Sequence, residues 1–109
     1  MIDKRQVRKD ARDKVNRKGI VAVRCSASDQ VWVSHSRDID ASQNGLWFAL
    51  RNGLHNNKIL QAAWNLHGAD AFRFEVLEEF DDDMPALLVR SALLDRQKHW
   101  KNELQALLL

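Results

Sequence analysis

Two short runs rich in valine, 20–25 and 30–34, constrain this 109-residue chain more than any other feature of its sequence. They are separated by the segment 26–29, whose residues have the type and number found in the loops of β-hairpins. The runs therefore predict two antiparallel strands. The rest of the chain must supply the elements that cover them.

A third strand and two helices are predicted immediately after the hairpin. Residues 71–80 alternate in the manner of a strand, which places Phe72, Phe74, Val76 and Glu78 together on one side. Apolar residues at helical spacing predict helices over about 40–52 and from 56 or 57 to 67. Each of these helices is followed by a glycine that is suited to a C-terminal cap.

A last helix is predicted after Pro85. The acidic run 81–83 is expected to cap its first turn and to complement the helix dipole there. Its core-facing side chains recur at helical spacing and are Val89, Leu93, Trp100, Leu104 and Leu107.

The segment that precedes the hairpin carries an excess of positive charge. Residues 1–18 contain eight lysines and arginines against three aspartates, although the net charge of the whole chain is only +2. Val7, Ala11 and Val15 recur every four positions and predict a helix over 3–17. A basic arm of this kind is typical of proteins that contact nucleic acid or an acidic partner, but a solvated helix face or pairing with the acidic run around 81–83 stays equally open.

Together these elements predict an α+β fold in which a small three-stranded antiparallel sheet is flanked by helices. The basic N-terminal helix occupies 1–18 and the main domain 19–109, with no room for a second domain. The single cysteine, Cys25, excludes an intrachain disulfide and is expected to be buried and inert. No segment approaches the roughly 20 apolar residues of a membrane span, so we expect a soluble, cytoplasmic protein without a membrane partner.

Several separated motifs follow one another as in the GIY-YIG nuclease family, which residues 19–104 resemble. The resemblance rests on the strand that opens with Gly19-Ile20, on the segments 55–68 and 72–78, and on 94–100 in the last helix. It implies the fold of that family and its chemistry, the Mg²⁺-dependent hydrolysis of a phosphodiester. In that chemistry two hairpin tyrosines handle the attacking water, a helix arginine and histidine stabilise charge, and a glutamate holds the metal ion.

The residues at the matching positions are wrong for that chemistry. Val21 and Trp32 occupy the two tyrosine positions, where valine has no ionisable group and an indole N–H cannot accept a proton. Ser42 and Leu46 occupy the arginine and histidine positions, and Gln97 replaces the metal-binding glutamate with an amide that carries no charge. We therefore expect no intact catalytic residue, no metal site and no cofactor, and Mg²⁺ enters only if the domain is an active nuclease with rearranged residues.

The favoured function is a catalytically impaired domain that binds nucleic acid, DNA before RNA, with low affinity. The residues predicted to contact the nucleic acid are Lys4, Arg5, Arg8, Lys9, Arg12, Arg51, His55, Asn57 and Lys58.

Two other functions stay open. One is an active endonuclease that uses Glu75, His35 or His55. The other is a protein-interaction or homodimerisation module, whose interface would be the apolar former cleft around Val21, Trp32 and Leu46. Within the nucleic-acid hypothesis, Trp32 either stacks on a base or fills the space of the lost tyrosine, and the second role is favoured.

Overall fold

The computed structural model describes residues 16–109, which form three α-helices and four strands. Their bounds are β1 Gly19–Cys25, β2 Gln30–Ser36, α1 Ile39–Arg51, α2 Lys58–His67, β3 Phe72–Glu79, α3 Ala86–Leu104 and β4 Leu107–Leu108. A 3₁₀ turn, Ala69–Ala71, joins α2 to β3. The helix predicted over 3–17 lies outside the described residues except for its last two positions, which are not helical.

The strands form one sheet in the order β3-β1-β2-β4. The predicted hairpin is present, with Val21 opposite Ser34, and β3 pairs antiparallel with the other side of β1. The sequence predicted three antiparallel strands, but the sheet has a fourth strand, β4, which runs parallel to β2. Leu107, predicted as a helical residue, belongs to this strand, since α3 ends at Gln105 with a left-handed backbone φ of 51°.

An irregularity in β3 changes the side of the sheet that Glu78 faces. Ile20 lies opposite Glu78, whereas the next residue of β1, Val21, lies opposite Val76. Leu77 is therefore left without an opposite residue. One extra residue reverses the alternation beyond it. Simple alternation predicted that Glu78 shares the face of Val76, but Glu78 lies on the face of Ile20.

Helices cover both faces of the sheet and create two cores. Against one face, α3 packs Val89 and Leu93 onto strand residues that include Ile20. Against the other face, α1 and α2 pack around Trp32, and Cys25 is buried there as predicted. The second core continues into an aromatic cluster whose neighbouring ring centroids lie 5.3–6.5 Å apart. Its members are Trp32, Trp47, Trp64, Phe72 and Phe74.

Side-chain caps fix the beginnings of the first two helices. The Asp38 carboxylate accepts a hydrogen bond from the Ala41 N–H at 3.1 Å, and the Asn57 side chain caps α2 in the same way. The last helix differs, because it begins after Pro85 without a side-chain cap, and the predicted capping by residues 81–83 is wrong. None of the helices in the described residues is long and apolar enough to cross a membrane.

Candidate functional site

An open cleft of about 410 Å³ lies between the sheet, α1 and the loop before α2. It occupies the face that carries Val21, and the chain after β4 closes one side of it with Leu109. The lining residues on which its chemistry depends are Val21, Ser34, Leu46, His55, Asn56 and Phe74. This is the position at which the sequence resemblance places a catalytic pocket.

The residues at the two tyrosine positions behave differently. Val21 is 1% exposed and lines the cleft, so its side chain forms an apolar wall where a phenol is expected. Trp32 is fully buried and does not line the cleft, which excludes stacking of its ring on a base. Its indole N–H has no hydrogen-bond partner within residues 16–109. An unpaired buried donor costs about 1–3 kcal/mol, so this tryptophan is held by packing alone.

Ser42, at the arginine position, takes part in a local hydrogen-bond network, and Leu46, at the histidine position, belongs to the core. The hydroxyl of Ser42 lies 2.6 Å from that of Ser36, which also accepts a hydrogen bond from the Asp38 N–H at 3.1 Å. Leu46 is buried in the core that contains Trp32. Neither position supplies a positive charge to the cleft.

The side chain at the metal position is engaged in a structural contact with a residue of the cleft rim. The Oε1 atom of Gln97 accepts a hydrogen bond from the His35 backbone N–H at 3.0 Å and lies 2.7 Å from Nδ1 of the same residue. A backbone N–H can only donate, so the Gln97 atom is the amide oxygen and Nδ1 must carry the imidazole proton. Gln97 thus fixes the orientation of His35 at the rim of the cleft and does not line the cleft itself.

His55 lines the cleft in a defined protonation state. Its Nδ1 accepts a hydrogen bond from the Asn57 N–H at 2.9 Å, which places the proton of the neutral ring on Nε2. Burial lowers the pKa of His55 below its ordinary value, because the charged imidazolium is poorly solvated there. The ring is therefore a neutral N–H donor near pH 7.

The other residues predicted to bind nucleic acid are distributed unevenly. Both ends of the Asn57 amide serve the fold, since Oδ1 caps the N–H groups of Ile59 and Leu60 and Nδ2 donates to the Leu108 carbonyl. Arg51 and Lys58 are exposed but do not line the cleft. The predicted arm residues lie outside the described residues; they are Lys4, Arg5, Arg8, Lys9 and Arg12.

A shallower depression of about 450 Å³ adjoins the cleft and shares His35 and Ser42 with it. Arg37 lines this depression. The described chain begins nearby, because Arg17 forms an ion pair with Asp40 in the first turn of α1 at 2.9 Å. The basic arm is thus attached next to the depression and the cleft.

One part of each alternative raised by the sequence conflicts with this geometry, although His35 and His55 of the active-nuclease alternative both line the cleft. Glu75 forms an ion pair with Arg24 on the side of the sheet opposite the cleft, so it is not available for chemistry in the cleft. An interface formed by the former catalytic positions conflicts with their burial, since Trp32 is 0% and Leu46 6% exposed.

The residues present do not fit the Mg²⁺ ion that the resemblance implies. No aspartate or glutamate of the described chain lines the cleft, and the oxygen of Gln97 already accepts hydrogen bonds from His35. Within residues 16–109, no group of three histidine, cysteine or acidic side chains is arranged to hold a metal ion. Mg²⁺ prefers several charged or neutral oxygen ligands, which this set of side chains lacks.

A second hydrogen-bond network, centred on Glu78, lies outside the cleft and was not predicted from the sequence alternation. Glu78 accepts hydrogen bonds from Nε of Arg96 at 2.8 Å and from Nε1 of Trp100 at 2.9 Å. These bonds connect β3 to α3, the helix that carries Gln97. The network depends on the extra residue in β3, for which the local sequence offers no signal.

Comparison with solved structures identifies the fold. The catalytic domain of the homing endonuclease I-TevI superposes with a TM-score of 0.69 at 24% identity, over 81% of this chain and 88% of that domain. A mutant of the catalytic domain of the intron endonuclease I-TevI gives a TM-score of 0.67 at 24% identity, over 82% of this chain and 84% of the other. No protein-family model and no curated protein matches the sequence. The predicted GIY-YIG-like fold is thereby confirmed.

Proposed function

We propose that this protein is a GIY-YIG-like domain of the cytoplasm that binds nucleic acid, in the first place DNA, and does not cleave it. The observation that carries the proposal is the lining of the cleft. The cleft is open and has apolar walls, and no lysine, arginine, aspartate or glutamate of the described chain lines it.

The loss of cleavage follows from what phosphodiester hydrolysis needs. The transition state gathers negative charge, which must be met by fixed cationic donors or a metal ion. Val21 and Leu46 place hydrocarbon at two of the positions concerned, and the Gln97 oxygen is engaged by His35. A substrate phosphate in this cleft would therefore lose its hydration without receiving a counter-charge.

Binding is supported by the fold and by the charge of the arm. The solved structures that share the fold are catalytic domains of an endonuclease. The sequence 1–18 has an excess of lysine and arginine, and the described chain begins beside the first turn of α1, where Arg17 forms an ion pair with Asp40. Arg37 adds an exposed cation at the adjoining depression. A basic arm joined to a domain with an open cleft is suited to contact a phosphate backbone.

One experiment tests binding and cleavage on the same samples. A labelled DNA duplex is titrated with the protein in Mg²⁺ or Mn²⁺ while anisotropy reports binding, and the samples are then resolved on a denaturing gel against a chelator control. We expect binding without cleavage. If the arm neutralises about four phosphates, log affinity falls with log salt at a slope of roughly −3 to −4.

A variant in which the arm cations Lys4, Arg5, Arg8 and Lys9 are changed to glutamine should flatten that slope. The matched control changes Arg90 and Lys98 of α3, on the side of the sheet opposite the cleft, and should leave the slope nearly unchanged. Chelator-sensitive cleavage that co-purifies with the protein would refute the loss of catalysis. Absence of binding at low salt would refute the binding function.

A further inference from the structure

The cleft is lined by apolar side chains and by a few polar side chains that carry no formal charge. Apolar walls are supplied by Val21, Leu46 and Phe74. Its remaining polar groups include the hydroxyl of Ser34 and the amide of Asn56. No lysine, arginine, aspartate or glutamate of the described chain lines it. Its volume of about 410 Å³ is within the range of roughly 300–1,000 Å³ that is usual for small-molecule pockets.

Such a lining is suited to a neutral, flat group with hydrogen-bonding atoms at its edge. The Phe74 ring is held in place by an edge contact with Trp47, at a centroid distance of 6.4 Å and an interplanar angle of 69°. A fixed aromatic wall of this kind can pack against a nucleobase, as aromatic side chains do in proteins that bind single strands. The edge of the base would meet neutral donors and acceptors, among them the Nε2–H of His55.

A charged side chain lies next to the neutral cleft. The depression that carries Arg37 shares Ser42 and His35 with the cleft, so the two hollows are contiguous. The basic arm enters the fold beside this depression, at Arg17. The cleft is therefore lined by neutral groups, whereas the adjoining depression carries the exposed cation Arg37 beside Asp38, whose carboxylate caps α1.

We infer that the cleft binds a single unpaired base of nucleic acid, with the adjoining phosphate at the rim near Arg37. This inference rests on the proposed function, because it names the part of the nucleic acid that the former catalytic cleft recognises. A base in a continuous duplex is stacked and paired, so it would have to leave the helix to enter the cleft. Bases that are already unpaired avoid most of that cost.

Gly45 offers a way to close the cleft without disturbing the fold. This residue lines the cleft within α1, and a Cβ atom built on it has no neighbour within 4 Å. Gly45→Leu therefore fills the space from the helix side. Gly45→Ala is the matched control, because it makes the same change of backbone preference and occupies little of the cleft.

The experiment measures affinity for three labelled DNA duplexes that differ at one position. The first carries an unpaired adenine, the second an abasic residue in its place, and the third is fully paired. Base stacking on an aromatic side chain predicts about 5- to 100-fold tighter binding of the unpaired adenine than of the abasic duplex. We expect Gly45→Leu to reduce this ratio to about one and Gly45→Ala to preserve it, while both variants keep the salt-dependent binding of the paired duplex.

Each result is decisive. A wild-type protein that binds all three duplexes equally and salt-sensitively would overturn the inference and leave the proposed function intact. A base preference that survives Gly45→Leu, in a protein whose thermal unfolding is unimpaired, would place the base outside the cleft and also overturn it. Failure to bind any duplex at low salt would overturn the proposed function and the inference with it. The same probes made of RNA identify the nucleic acid that supplies the base, and discrimination with either one supports the inference.

Discussion

Replacing Glu78 by glutamine removes one charge from the contact between β3 and α3 and leaves its shape nearly unchanged. The amide oxygen of Glu78→Gln can still accept the hydrogen bonds of Arg96 and Trp100, but the ion pair with Arg96 is lost. Because α3 carries Gln97, this contact also supports the hydrogen bonds that hold His35 at the cleft.

The expected loss of stability is modest. A hydrogen bond to a charged group contributes about 1.5–3 kcal/mol and a neutral one about 0.5–1.5, so the Trp100 bond weakens by about 1 kcal/mol. The Arg96 bond keeps its charged donor and loses the attraction of the ion pair. The Glu78 and Arg96 side chains are 30% and 40% exposed, and solvent screening reduces the charge contribution. We therefore expect a loss of about 1 kcal/mol in the free energy of unfolding, or roughly 4–6 °C in Tm.

The pH dependence of this loss has a definite sign. Partial burial by itself raises the pKa of Glu78, but the hydrogen bonds from Trp100 and Arg96 and the charge of Arg96 outweigh it and lower the pKa below its ordinary value. A carboxylate with a lowered pKa stabilises the fold above its unfolded pKa of about 4.3, and that stabilisation is lost as the pH falls through the folded pKa. The difference between the wild type and Glu78→Gln should be complete at neutral pH and should shrink below about pH 4.

Urea unfolding followed by tryptophan fluorescence at neutral and acidic pH measures this difference. The neighbouring change Glu79→Gln is the control, because the ion pair that Glu79 forms within residues 16–109 is a long surface contact of 3.4 Å with Arg17, whose loss should cost less than about 0.5 kcal/mol. Equal losses in the two variants, or a Glu78→Gln difference that persists unchanged in acid, would show that the charge of Glu78 does not stabilise the packing of α3.

Two further predictions follow from the contacts of Gln97 and Asn57. Gln97→Glu alone should leave the affinity for Mg²⁺ unchanged in calorimetric titration. The new carboxylate keeps the contacts with His35, and no second carboxylate of the described chain lines the cleft. Saturable Mg²⁺ binding by this variant would contradict the prediction. Asn57→Ala should reduce the free energy of unfolding by about 1–2 kcal/mol through loss of the cap, whereas Asn57→Asp, which keeps a capping oxygen, should cost less in the same urea titration. A loss as large in Asn57→Asp would assign the effect to the bond with Leu108.

The elements that could be predicted from the sequence are those with a local cause. The hairpin follows from two valine-rich runs around a turn, and α1 and α2 follow from apolar spacing with polar caps. The strand β4 had no such signal, because Leu107 and Leu108 continue the apolar pattern of α3. Their separation from the helix depends on the left-handed backbone of Gln105, a conformation that is uncommon for a residue other than glycine.

The same distinction applies to the site. Val21 and Leu46 both line the cleft, and both lie on regular elements whose side-chain direction follows from periodicity. Motif spacing could not reveal that Trp32 is buried behind the cleft or that Gln97 is bound by His35, because both depend on tertiary contacts. The role of Phe74 as a wall was likewise missed, although its place in the alternation of β3 is compatible with it.

The apolar residues of the cleft also stabilise the fold, so replacing them by the polar and charged residues of the GIY-YIG family is expected to reduce stability. A catalytic pocket keeps polar groups poised without partners, and this costs stability. Leu46, by contrast, adds apolar surface to the core around Trp32 and Leu50. Removing a buried leucine costs about 2–5 kcal/mol, and a histidine at this buried position would also need a hydrogen-bond partner. Since a small domain has only about 5–15 kcal/mol of stability, each such replacement is expected to remove a large part of it. The apolar cleft is thus maintained by the packing of the fold itself, and a ligand that matches its neutral lining can be accommodated without that cost.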